Sequence, residues 1–266
     1  SQERHFAAAL EKEPDNETYQ YNLAAVRIKL PDPQKQARAR STLERLAKSA
    51  AFRAGSLRAL LNDAIQRSNL EAADRFAQEL QLSPQVTFSD ELLCMDFYKK
   101  LDQKKLAALL EKVKPLAARE PDDLAALMGW MNANRMSADV LRWMEKLPSE
   151  KTSGPPAAIE VADAFSAQKN WARLRRWTKG GDWGESEYLR LAYQAYARQQ
   201  SRQEGTEAES LWHDAERACE ENPEREIRLA RLASKWNLPA QAEQLWLRVA
   251  HDPLSRREAL DSLFAI

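Results

Sequence analysis

The chain has few cysteines and glycines and no net charge, and these shortages exclude several classes of protein. Its 266 residues contain two cysteines and seven glycines, and 40 Lys and Arg balance 40 Asp and Glu. Cys94 and Cys219 stand far apart without a C-x-x-C or Cys/His spacing, which excludes a disulfide framework and indicates two buried thiols. Zero net charge disfavours a dedicated binder of nucleic acid or anionic membranes, since excess Lys and Arg supplies most of that affinity.

Long apolar runs are also missing. The longest, at 124–131, is far shorter than the ~20 residues that a membrane-spanning helix needs. We therefore expect no membrane insertion within this chain. It begins with Ser1 and shows no basic start followed by an apolar stretch, so it indicates neither a targeting segment nor a compartment.

The abundant residues favour helix. Apolar residues make up 44% of the chain, and Ala, Leu, Glu, Arg and Gln dominate it. Segments of helical periodicity alternate with breaks that carry Pro, Asp or Asn, which end one helix and cap the next. Capping-box patterns at Thr206/Glu209 and Ser255/Glu258 predict two of the helix starts. In total the pattern predicts sixteen helices, at 3–12, 16–30, 33–51, 54–68, 69–83, 88–101, 103–119, 122–134, 137–147, 155–168, 170–178, 184–200, 205–221, 223–236, 239–250 and 253–265.

Pairs of these helices repeat along the chain. In the clearest copy, apolar and small residues recur at fixed positions, namely Leu229, Leu232, Ala233, Trp236, Ala242, Trp246 and Val249, followed by Pro253. The pattern resembles the tetratricopeptide repeat family, whose unit of ~34 residues follows W-x2-L-G-x2-Y, then A-x3-F, then P. Further copies lie at 188–215, 162–174 and 57–84, whereas 88–121 keeps only the apolar periodicity and has no assigned register.

The resemblance implies an all-α fold. It predicts one right-handed superhelical α-solenoid of about seven to eight helix pairs over residues 1–266, with a minor break at 148–156. Each pair has apolar residues on more than one face, so neighbouring pairs must stack to bury them. We expect Phe76, Trp212 and Trp246 to pack between the pairs rather than to contact a ligand.

Both ends of the chain resemble half of a helix pair. The segment that ends at Pro14 matches a second helix, and 255–266 matches a first helix without its partner. Leu260, Leu263 and Phe264 form an apolar stripe where a solenoid normally has a polar cap. We therefore expect that the natural protein is longer, or that the chain self-associates through its terminal helices.

The sequence indicates no catalytic, metal or cofactor site. His5, His213 and His251 lie on separate predicted helices without acidic or cysteine partners at ligand spacing. The Ser166-x-x-Lys169 pattern lacks the companion motifs of serine hydrolases in their order, and 178–184 (TKGGDWG) lacks the Lys-Ser ending of a phosphate loop. We therefore predict a protein that is not an enzyme.

In the tetratricopeptide family the first helix of each pair lines a concave groove that holds a peptide. Carried onto this chain, the groove positions are polar with a few aromatic anchors, namely Tyr21, Arg58, Asn62, Met128, Asn132, Asp163, Ser166, Tyr193 and Tyr196. The resemblance thus implies a non-catalytic scaffold that binds a protein or peptide partner. The sequence does not identify that partner.

Two alternative functions remain open. The chain could be the accessory solenoid of a larger enzyme or membrane-anchored assembly whose catalytic part lies outside it. It could also bind RNA through helical repeats, since 171–179 interleaves Trp with Arg and Lys. Zero net charge disfavours RNA, and Trp171 and Leu174 already occupy core positions of the repeat.

Overall fold

The structure of the protein, a computed structural model, describes residues 2–201 and 205–265. All regular structure in these residues is helical, with no strand. The α-helices are α1 (Gln2–Lys12), α2 (Glu17–Arg27), α3 (Pro33–Leu46), α4 (Arg53–Gln66), α5 (Leu70–Gln81), α6 (Phe88–Leu101), α7 (Gln103–Ala117), α8 (Pro121–Ala133), α9 (Ser137–Met144), α10 (Ala157–Ala167), α11 (Trp171–Thr178), α12 (Glu187–Gln200), α13 (Gly205–Arg217), α14 (Pro223–Lys235), α15 (Pro239–Val249) and α16 (Arg256–Leu263). Two short 3-10 helices lie at Ser149–Lys151 and Gly184–Ser186. The prediction of sixteen helices in an all-α protein is confirmed.

Side-chain caps explain where several helices begin. Asn16, Asp32 and Asn222 each accept hydrogen bonds of 3.0–3.3 Å from the amides two and three residues ahead. These bonds satisfy donors that have no partner within the helix. Several helices end earlier than predicted, because the next residues close tighter turns. In this way the amide of Lys29 bonds to the carbonyl of Val26 after α2.

The two predicted capping boxes do not form. Helix α13 begins at Gly205, so Thr206 lies inside the helix and is not its cap. Ser255 makes no side-chain cap bond; its hydroxyl instead donates to Asp252 over 2.7 Å. A complete capping box occurs at α6, where the Thr87 side chain bonds to the amide of Asp90 and the Asp90 side chain bonds to the amide of Thr87.

Contacts between helices divide the chain into two compact units, one up to Pro115 and one from Leu116 onward. In the first unit, extensive contacts run from each helix to the next between α1 and α5, and smaller contacts join α5 to α6 and α2 to α4. In the second unit, α8, α10, α12 and α14 contact one another in succession, and α9, α11, α13 and α15 each pack on the helix that precedes them. The segment 148–156 lies inside this second unit. The single solenoid over 1–266 stays a prediction.

The apolar positions of the repeat pattern form the core. The ring of Trp246 is 1% exposed, and its Nε1 donates to the hydroxyl of Ser234 over 2.9 Å. The other buried repeat positions are Leu57, Leu60, Leu61, Phe76, Phe165, Leu174, Tyr188, Ala192, Trp212, Leu229, Leu232, Ala233, Trp236, Ala242 and Val249. The predicted core positions of Phe76, Trp212 and Trp246 are therefore confirmed.

Both cysteines are buried, as predicted. Burial raises the pKa of Cys94 and that of Cys219 to about 12 in each case, so the thiols are neutral at physiological pH. A neutral thiol is a poor nucleophile and a poor metal ligand. None of the described helices combines the length and the apolar character needed to cross a membrane.

Candidate functional site

The first helices of two successive predicted pairs, α2 and α4, border a cavity in the first unit. Its volume is about 530 Å³. Three residues predicted for partner binding, Tyr21, Arg58 and Asn62, line it together. Lys29 and Gln66 add further polar groups to the lining. We call this space the α2–α4 cavity.

Arg58 is held in place by a carboxylate on α6. Its Nε donates to Oδ1 of Asp90 and its Nη2 donates to Oδ2 over 2.8 Å, which makes a bidentate ion pair. Burial acts to raise the pKa of Asp90, but hydrogen bonds from Arg58 and Thr87 outweigh it and lower that pKa. The hydrogen bond with Asp90 likewise raises the pKa of Arg58. The guanidinium is therefore charged and oriented before any ligand binds.

The side chain of Tyr21 lies against α4 at Gly55. A Cβ at Gly55 would lie 2.5 Å from the hydroxyl oxygen of Tyr21, so only glycine leaves room for the phenol in this position. The ring also packs on Phe52, with ring centroids 5.5 Å apart. Lys29 and Asn62 are exposed at the rim. The α2–α4 cavity thus offers a phenol, two amides and two cations to a ligand, and the Asp63 carboxylate in its lining is already paired with Arg40 and Arg67.

In the second unit, Asp163 on α10 connects three of the first helices. Tyr193 on α12 donates its hydroxyl to Asp163 over 3.2 Å. Lys235, at the end of α14, lies 2.6 and 2.7 Å from the two carboxylate oxygens. The predicted residues Asp163 and Tyr193 therefore lie together, and the ion pair with Lys235 links α10 to α14.

A second carboxylate on α10 lies against α8. Asn132 donates its amide to the backbone oxygen of Glu160 over 2.9 Å and to its carboxylate over 3.3 Å. A Cβ at Gly129 would lie 3.2 Å from that carboxylate, which indicates how closely it approaches α8. Burial raises the pKa of Glu160, and the hydrogen bond from Asn132 opposes this shift only in part.

Aromatic rings cluster beside this network. Tyr196 stacks on Trp236 with ring centroids 4.2 Å apart and planes 3° apart, and Trp171 meets Tyr196 edge-on at 5.4 Å. Tyr193 meets Trp236 at 5.0 Å. Burial raises the pKa of Tyr193 and that of Tyr196, so both phenols keep their proton. Tyr196 and Trp171 are the partly exposed rings of the cluster.

Three predicted groove residues are buried and do not face solvent. Met128 is 0%, Tyr193 is 2% and Ser166 is 8% exposed. A first helix packs on its own second helix and also on the neighbouring first helices, as α10 does on α8, α11 and α12. Positions on two of its faces are therefore covered. The assignment of these three side chains to an open groove is corrected.

An acidic cavity of about 990 Å³ in the second unit was not predicted. It lies among α13, α14 and α15, and its carboxylates are Glu209, Asp214, Glu216, Glu220, Glu221 and Glu226. Arg217 and Arg248 also line it. Glu216 is already satisfied by Trp212, which donates its Nε1 over 3.1 Å, and by Arg248. The acidic run at 216–226 was the sequence feature that could have revealed it.

The remaining candidates from the sequence have structural contacts. Trp177 donates its Nε1 to the carbonyl of Ala158 over 3.1 Å, and Arg173 pairs with Glu145 at 2.9 Å, so 171–179 is partly engaged within the protein. His213 is exposed near Glu216. In the described residues no three His, Cys, Asp or Glu side chains come together to hold a metal ion.

Comparison with known proteins adds no relative. No protein-family model matches the chain, and no curated protein is significantly similar to it. The interpretation of function therefore depends on the geometry of the chain itself.

Proposed function

We propose that this protein is a non-catalytic scaffold of the tetratricopeptide type that binds a peptide segment of a partner protein along its first helices. The observation that carries this proposal is the α2–α4 cavity. It gathers Tyr21, Arg58 and Asn62 from two successive first helices, at positions that the family places in its groove. Its volume of about 530 Å³ falls within the range of ligand sites in proteins.

The groups in the α2–α4 cavity suit a peptide. The amide of Asn62 offers both a donor and an acceptor, which matches the two polar groups of a peptide bond. Tyr21 combines ring area with a hydroxyl, and tyrosine is enriched at binding hot spots. Because Asp90 already fixes Arg58, less side-chain entropy is lost when a ligand pairs with it.

Contacts within each unit support a solenoid. The extensive helix contacts join neighbours or next-but-one neighbours along the chain, as expected when repeated pairs stack. In the second unit, Lys235 and Asp163 connect α14 with α10. Such a bridge is expected on the inner side of a curved stack, where first helices approach most closely. It supports a superhelix with its first helices inside.

The other functions and the self-association stay predictions. Leu260 and Phe264 are exposed, at 44% and 90%, and Leu263 is partly exposed. This exposure is compatible with self-association, although it does not define a partner. The accessory solenoid of a larger enzyme and the RNA binder have no specific observation in their favour.

A peptide selection tests the proposed function. Random linear peptides are displayed and selected against the protein, and the enriched peptides are synthesised. Asn62→Trp obstructs the α2–α4 cavity, so we expect it to weaken their binding about tenfold or more. Gln34→Trp changes another exposed amide, on α3 outside the cavity, and should bind like wild type. If no peptide is enriched, or if both variants bind like wild type, the proposal is wrong.

A further inference from the structure

A mostly apolar groove lies in the first unit between the second helix α5 and the helix α7. Its volume is about 410 Å³, and its apolar lining comes from Leu82, Tyr98, Ala108 and Leu109, together with two glutamines. Tyr98 and Leu109 are buried, whereas Ala108 is exposed and Leu82 is 77% exposed. Apolar surface is therefore left in water next to a groove, which is a mark of interaction sites. We call this surface the α5–α7 groove.

The charged residues that line the α5–α7 groove are cations. They are Lys105 and Lys112, and none of the described lining residues is acidic. Lys105 lies 2.6 and 2.7 Å from the carboxylate oxygens of Asp74, and Lys112 lies 3.3 Å from Oε1 of Glu91. The lysine side chains are 39% and 49% exposed, against 27% for Asp74 and 4% for Glu91. The more buried carboxylates thus hold the lysines from the protein side.

The two lysines have a helical spacing. They are seven residues apart on α7, which corresponds to two turns and about 10.5 Å along the helix axis. Ala108 and Leu109 lie between them on the same face of α7, since residues three and four apart are neighbours on a helix. The surface is therefore a cation, an apolar patch and a second cation in a line.

We propose that the α5–α7 groove binds an acidic amphipathic helix of a partner protein. Carboxylates at positions i and i+7 of that helix pair with Lys105 and Lys112. Apolar side chains at i+3 and i+4 cover the exposed Leu82 and Ala108. Charge complementarity selects an acidic occupant, because a basic helix would meet two fixed ammonium groups.

The existing ion pairs prepare the lysines for this partner. An ammonium group has three donors, so a lysine that already bonds to Asp74 or Glu91 can donate to a second carboxylate. Fixing the side chain beforehand also reduces the entropy lost on binding. The α5–α7 groove and the α2–α4 cavity share no lining residue. This inference therefore does not depend on the proposed peptide site.

Two synthetic helical peptides test the inference by fluorescence polarisation. The acidic peptide carries Glu at i and i+7 and Leu at i+3 and i+4 in an alanine background, and the basic peptide replaces each Glu with Lys. We expect the acidic peptide to bind about tenfold tighter or more, and to bind more weakly as salt rises. Equal binding of the two peptides would overturn the inference.

Adjacent alanines on α7 provide a matched pair of variants. Ala108→Glu places a negative charge in the α5–α7 groove, whereas Ala107→Glu places the same charge on an exposed residue that does not line it. We expect Ala108→Glu to weaken binding of the acidic peptide about tenfold or more, and we expect Ala107→Glu to bind this peptide like wild type. Circular dichroism checks that both variants fold. If Ala108→Glu does not fold, Leu82→Glu serves as a second variant of the α5–α7 groove.

Two results contradict the assignment of the groove. Equal weakening by the Ala107 and Ala108 variants would show that the peptide responds to overall charge and not to this surface. A wild-type dimer in sedimentation that Ala108→Glu dissociates would show that a second copy of the chain occupies the groove.

Discussion

Burial acts to raise the pKa of two carboxylates, Glu160 on α10 and Asp90 on α6, but their net pKa shifts have opposite directions. For Glu160, burial raises the pKa, and the neutral amide of Asn132 only partly compensates. For Asp90, hydrogen bonds from the Arg58 guanidinium and from Thr87 outweigh burial and lower the pKa. A charged donor stabilises an anion more than a neutral amide does. At the scale of the residue, the hydrogen-bond partner thus decides the direction in which the pKa of such a carboxylate shifts.

Glu160→Gln is expected to change how stability depends on pH. The folded pKa of Glu160 lies above its ordinary value of 4.5. The stability that this group contributes is therefore fully present below the unfolded pKa and is lost as the pH rises through the folded pKa. Wild type should lose stability relative to Glu160→Gln as the pH rises from the ordinary value of 4.5 through the raised folded pKa. Urea unfolding across this range measures the difference.

The control for that experiment is Glu11→Gln. It removes the same charge from an exposed side chain. If the two variants differ from wild type by the same amount at every pH, the partly buried position of Glu160 has no role in the effect.

The candidate site was only partly predictable, because its side-chain pairs lie about one repeat apart. Arg58 and Asp90 are 32 residues apart, and Asp163 and Tyr193 are 30 apart. Both separations are near the ~34-residue unit, so an assigned register predicts that Asp163 and Tyr193 approach, whereas Asp90 lies in 88–121, which has no assigned register. A register does not predict which side of a doubly packed helix is covered. For that reason Met128 was assigned to an open groove although it is buried.

At the scale of the element, helix starts depend on which oxygen reaches the free amides. Thr87 caps α6 and shares a capping box with Asp90, whose carboxylate also holds Arg58. Ser255 has a suitable side chain before α16, but its hydroxyl is engaged by Asp252. The same sequence pattern therefore has different consequences: Asp90 completes the box at α6, whereas the Glu258 carboxylate, which would complete the box at α16, is paired with Arg231.

The two caps can be compared directly. Thr87→Ala removes a cap bond, and we expect it to cost about 1 kcal/mol of stability. Ser255→Ala removes no cap bond, so its cost should be within about 0.5 kcal/mol. Chemical denaturation of both variants measures these costs. A larger loss for Ser255→Ala than for Thr87→Ala would contradict the assignment of the caps.

The existence of all sixteen helices could be predicted, whereas some of their ends and one surface could not. Periodicity and Pro or Asn breaks are local features, and they suffice to place a helix. The α5–α7 groove was missed because α6 and α7 lie in 88–121, where the repeat register could not be assigned. Without a register, the sequence does not show which exposed side chains of α5 and α7 face each other.

At the scale of the whole molecule, the helix contacts within each unit are mostly local along the chain, and the ion pair of Asp163 with Lys235 spans 72 residues. In the second unit, α15 makes its extensive contacts with α14 and α16, and α14 in turn contacts α12. When each repeat contacts only its neighbours, stability is a sum of local terms and a defect spreads only a short way. In a core shared by all helices, a local defect would instead lower the stability of every helix to a similar extent.

Trp246→Ala distinguishes these two cases within the second unit. The ring is 1% exposed, so its removal should cost roughly 3–5 kcal/mol. Hydrogen exchange should show the largest loss of protection in α14, α15 and α16 and little change in α8 and α10. Leu247→Ala, on the same helix but 53% exposed, is the matched control and should leave protection nearly unchanged. An equal loss from α8 to α16 would contradict the solenoid and indicate one cooperative core, because only a shared core transmits a cavity at Trp246 to helices that it does not contact.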